Sequence, residues 1–165
     1  MKEYLKITLL CIFAAILYGI VHDQISAQIS MEFFTKGDSE SSARFIALVK
    51  GILWTWWFGL ILSIPLGLCA RHGKRNKLKA KKLILPVARV IATVFVFSLC
   101  SGLIGYAIAT LGLHELSDKL VSSIPEESRN GYIANIWSSF GAYVGAVVGA
   151  YRACLNTHKK RYGKK

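Results

Sequence analysis

The chain has 165 residues, 53% of them hydrophobic, and a formal net charge of +12. That length is one domain, 1–165. A soluble domain of this size would spread both signs of charge over its surface, and here acids and bases are segregated. Composition excludes an ordinary water-soluble globule and points to the bilayer.

Four apolar segments are long enough to cross a hydrocarbon core of ~30 Å: about 5–23, 47–70, 83–113 and 132–155. A span must satisfy its backbone polar groups internally, so helices are expected. The fold class is all-α, an integral membrane four-helix bundle. In the first segment an apolar run from Ile7 to Val21 gives way to His22, Asp23 and Gln24, then resumes with Ile25, Ile29 and Phe33 at helical spacing. The trio reads either as the cap where a helix leaves the lipid or as a working site. Residues 24–35 then protrude or lie in the interface plane. A cleaved signal peptide is the alternative for residues 1–21, but no small-x-small cleavage site follows.

The stretch "TKGDSESS" at 35–42 breaks the chain before the second span. Trp54, Trp56 and Trp57 suit an aromatic belt near the headgroups. Gly51, Thr55, Gly59, Ser63 and Gly67 recur every four residues along this span, and Pro65 is placed to kink its inner end. Residues 71–82, "RHGKRNKLKAKK", carry seven Lys or Arg and no acid. A nucleic-acid patch is the other reading of that loop, but it lacks aromatic or motif context, so no nucleic acid is expected. In the third span Ser98, Gly102 and Gly105 mark a small-residue face. In the fourth, Gly141, Gly145 and Gly149 repeat the GxxxG spacing that lets helix backbones approach closely.

Topology follows from charge. Lys2 and Lys6, the 71–82 loop and the basic tail from Asn156 should lie inside, by the positive-inside rule. Eight of the nine acids fall in the other two connections. Both termini are therefore expected in the cytoplasm, facing an anionic inner leaflet. The four cysteines lie within or at the inner ends of spans and imply no disulfide framework. Lys50, Arg89 and Arg152 lie close enough to an interface to snorkel, and no acid occupies a span centre, which argues against an ion-coupled transporter.

His22-Asp23 closes the first span and His114-Glu115 the third. "GILWTWW" opens the second and "GYIANIW" the fourth. These correspondences suggest two related hairpins arranged as parallel repeats. Imidazole and carboxylate together form a ligand set for a divalent metal, so His22, Asp23, His114 and Glu115 are candidate ligands if an ion is held, with Glu32, Glu126 and Glu127 above them. The other reading, and the one these residues favour taken alone, is that helix ends need polar side chains at the interface. Asn135, Thr55, Ser63 and Ser98 are the deepest polar side chains, of a kind that bonds to its own or a neighbouring helix.

"YGIVHDQISAQISMEFF", Tyr18 to Phe34, resembles a stretch of small bacterial four-span membrane proteins of uncharacterised function. Their pattern reads Y-G-[IV]-x-H-D-Q-[IV]-[ST]-A followed by E-[YF]-F. Tyr18, Gly19, His22, Asp23, Gln24, Ser26, Ala27, Glu32 and Phe34 match it, and Trp56, Trp57 and Gly59 also fit. The resemblance covers the first hairpin best. It implies a bacterial inner-membrane location and singles out the His-Asp-Gln segment, without implying an activity.

Two function classes are expected. The first is a non-catalytic accessory or scaffold subunit that packs on itself or another membrane protein through Gly51, Gly59, Gly67, Gly141, Gly145 and Gly149. The second is an outer-face site built from His22, Asp23, Gln24, Glu32, His114 and Glu115, serving a metal-binding enzyme, a metal handler or a permeation subunit.

Overall fold

A computed structural model describes residues 2–35, 40–74, 76–113 and 123–162. They form an all-helical bundle of α1 (Lys2–Ile29), α2 (Glu40–Arg71), α3 (Ile84–Thr110) and α4 (Arg129–Tyr162). Short 3-10 turns at Met31–Phe33, Ala80–Leu83 and Glu126–Ser128 lead into the connections. All four helices are long and apolar enough to cross a membrane. They outrun the apolar segments read from sequence. α2 starts seven residues before 47, where Ala43 and Ala47 bury themselves, and α4 continues to Tyr162. The last turn of α4 carries Lys159, Lys160 and Arg161, cations that complement the negative end of a helix dipole.

α1 shows how a single helix serves two solvents. Leu5, Leu9, Phe13, Leu17, Val21, Ile25 and Ile29 form one exposed stripe with a spacing of four. That stripe is the lipid-facing surface, and it passes the polar trio without interruption. His22, Asp23 and Gln24 therefore lie within α1, and the helix-cap reading is corrected: the helix ends at Ile29. Residues 24–29 continue α1, the first of the two expected courses, rather than bending away from it. Ser26, Ala27, Ser30, Phe34 and Thr35 are buried, and Gly131 of α4 abuts the Ile29 carbonyl.

The tight pairings are α1 with α2 and α3 with α4, and glycine makes both. A Cβ on Gly51 would lie 2.8 Å from the Gly19 backbone, and one on Gly59 would lie 2.5 Å from that of Cys11. Gly67 is looser, facing the Tyr4 ring. On α4, a Cβ on Gly145 would meet Val94 Cα at 2.9 Å, and one on Gly149 would meet Val90 Cα at 3.2 Å. Gly141 sits against Phe97 and Ser101. The stripes occupy the second helix of each hairpin, and both are consumed within the chain.

The interior is divided by depth. Ile7, Leu66, Leu83, Val87, Val90 and Val94 fill the end that holds the N-terminus with hydrocarbon. Beyond them the buried residues turn polar: Ser26, Ser98 and Asn135. At the opposite end of α2, Arg161 donates to the carbonyls of Cys69, His72 and Asn76 at 2.8–3.1 Å. Carbonyls in the last turn of a helix have no intrahelical donor; the guanidinium supplies one to Cys69 and ties His72 and Asn76 of the following connection to the same point. Glu3 accepts from the Ala80 N–H at 3.1 Å and ties α1 to the start of α3.

Candidate functional site: a polar chain above an apolar cleft

His22 faces inward because it lies four residues after Tyr18 and four before Ser26, on the α1 face opposite the lipid stripe. Its Nδ1 lies 2.9 Å from Asp23 Oδ1 and its Nε2 lies 3.1 Å from Ser138 Oγ of α4. Ser138 Oγ in turn lies 2.7 Å from Ser98 Oγ of α3. Four side chains thus run as one hydrogen-bonded chain across three helices. The side chains of His22 and Asp23 are 11% and 15% exposed, so the pair is largely withdrawn from solvent. An acceptor-only carboxylate at one end orients the chain. Asp23 accepts from Nδ1–H, Nε2 accepts from Ser138, and Ser138 accepts from Ser98. The Tyr18 ring packs 5.4 Å from that of His22. Its hydroxyl is buried beside Ser98 without a hydrogen bond of good geometry.

The other members of the trio turn elsewhere. Gln24 donates to the Arg44 carbonyl at 2.9 Å and fastens α1 to α2. Glu32 accepts from Ser30 and Ser128, each at 2.9 Å, bridging the end of α1 to the start of α4. Burial raises the Glu32 carboxyl, but its own backbone N–H and the Ser128 and Ser30 hydroxyls lower it more, leaving it below its ordinary value. Asn135, absent from the candidate set, is almost fully buried and donates to the Ser26 carbonyl at 2.9 Å. Its Oδ1 has no partner among the described residues. The signal for Asn135 was its depth in an apolar span.

His114 and Glu115 lie outside the described residues. Among the described residues no three His, Cys, Asp or Glu side chains converge as a metal site. The side chains brought together at His22 are hydroxyls from α3 and α4, which the His/carboxylate pattern did not include.

Below this chain the two hairpins part, leaving a cleft of about 360 Å³. Its floor is small or aliphatic, with Ala14, Ala15, Val90, Val94, Ala142 and Ala146. His22, Asp23 and Tyr18 line one end. Along α1 the lining runs from Cys11 to His22, which at 1.5 Å per residue is about 16 Å. Exposed Trp54, Tyr143 and Val147 place the mouth on the lipid side. Across it Phe58 of α2 meets Tyr143 of α4 with ring centroids 5.3 Å apart. Lys50 sits beside the end that Phe34 and Trp54 line, its Nζ 5.3 Å from the Phe34 ring and 5.2 Å from that of Trp54. No protein-family model, curated protein sequence or solved structure matches this chain.

Proposed function

We propose that this is a small inner-membrane protein that holds an apolar ligand between its two hairpins, with its termini in the cytoplasm. The observation that carries this reading is the position of the His22–Asp23 pair at the head of a cleft lined mostly by hydrocarbon and aromatic rings. A nearly buried imidazole–carboxylate pair within a span is costly and marks a functional site by default. Concave, mostly apolar cavities with a few convergent polar groups are the usual form of a small-molecule site. The glycine stripes, the basis for an accessory or scaffold subunit, are engaged inside the chain and offer a partner helix little.

Native mass spectrometry of protein released from mild detergent tests the reading. Wild type should retain an added mass of lipid size. Ala146→Phe, which puts a ring into the cleft, should lose it at an unchanged thermal midpoint. Retention of the same mass by both proteins would refute ligand binding between the hairpins.

A further inference from the structure

We propose that the ligand of this cleft is a prenyl quinone, its tail along α1 and α4 and one ring carbonyl accepting the Tyr18 hydroxyl beside His22. This rests on the cleft being a ligand site, and the geometry selects within that class. The narrow, apolar run of about 16 Å suits one hydrocarbon chain lying along the helices. The head must be uncharged. Among the described lining residues there is no Lys or Arg, and the one carboxylate is already paired with the one imidazole. A phosphate placed at this end would face Asp23 without a cation of its own.

The head should also be planar. Trp54, next to the Thr55 that packs on Gly19, edges the mouth at this end with a ring, and flat π-systems gain from offset stacking on such a surface. Finally, it should present a strong acceptor. The buried Tyr18 hydroxyl lacks a good partner, and an unmet buried donor is costly until an acceptor arrives. A quinone carbonyl meets these three requirements together. A diacyl phospholipid offers a chain but carries a charged head, which would have to reach Lys50 outside the lining.

The test is a titration of the full-length protein in detergent with a short-tailed benzoquinone, read by equilibrium dialysis. Phosphatidylglycerol serves as the charged competitor. Saturable binding of one quinone per chain is expected. Tyr18→Phe removes only a hydroxyl and should fold normally, while weakening quinone binding about five- to tenfold, the value of one neutral hydrogen bond. Ala146→Phe should abolish binding. Non-saturable partitioning, equal binding by Tyr18→Phe, or equal competition by phosphatidylglycerol would each overturn the quinone assignment. If Ala146→Phe still displaced a co-purified lipid, the cleft would stand as a site for a different ligand. If nothing were displaced, the site itself would fall.

Discussion

At the scale of single residues, the main finding is that polar groups with similar sequence surroundings do different work. Gln24 and Glu32 fasten α1 to its neighbours, whereas His22 and Asp23 head a cleft. His22 and Asp23 were legible as unusual because an imidazole and a carboxylate interrupt an apolar run. Their partners Ser98 and Ser138 were not, since nothing local tells a serine which of three helices it will face. Glu32 yields a pH prediction. Its carboxyl is held below its ordinary value, so its bridge to Ser30 and Ser128 stabilises the protein above the unfolded carboxyl's range and is lost as pH falls through the lowered one. Melting of wild type should fall on acidification through that window, while Glu32→Gln should be lower at neutral pH and flatter with pH. Superimposable pH profiles would show that the carboxylate contributes nothing there. Arg161 carries a larger share. Arg161→Ala removes the guanidinium from the carbonyls of Cys69, His72 and Asn76, at and just beyond the end of α2, and should cost about 2–3 kcal/mol, judged from bonds made by charged donors. Arg161→Lys should recover only part of this, since an ammonium lacks the planar fork. Denaturation in mixed micelles measures both.

At the scale of elements, helix number and type followed from length and hydropathy, because a span has few ways to satisfy its backbone. Boundaries were less legible. The first turns of α2 and the last turns of α4 are polar enough to resemble loops, and they become helical by packing and charge rather than by hydropathy. The glycine stripes announced close packing but not their partners: Gly19, which takes up Gly51, lies outside the repeated spacing. Gly145→Leu should be strongly destabilising, by about 2–3 kcal/mol or more, since even a Cβ there would meet Val94 Cα at 2.9 Å. Leu62→Ala, at the cleft wall, should be milder because the neighbouring space is already open. Equal melting temperatures for the two variants would contradict the packing account.

For the whole molecule, the arrangement is two close-packed hairpins joined less tightly to each other, with hydrocarbon at one end of the interface and polar side chains at the other. Segregation of charge between the two ends was plain in the sequence. The cleft was not, because it depends on how far apart the hairpins sit, and that distance is set by many small contacts. Orientation can be checked in a cysteine-free background. Cysteines at Ser39 and Ser123 should react with an impermeant thiol reagent in intact cells and one at Asn76 should not. The opposite labelling pattern would invert the assignment of inside and outside.

An apolar molecule held between the hairpins beneath His22 and Asp23 should be visible when the protein is imaged in lipid nanodiscs at a resolution that resolves lipid chains. An elongated density should run from the Tyr18 and His22 side chains toward Cys11, between Ala15 of α1 and Ala146 of α4. Hairpins closed onto each other, with Ala15 and Ala146 in contact and no room for a chain, would contradict it.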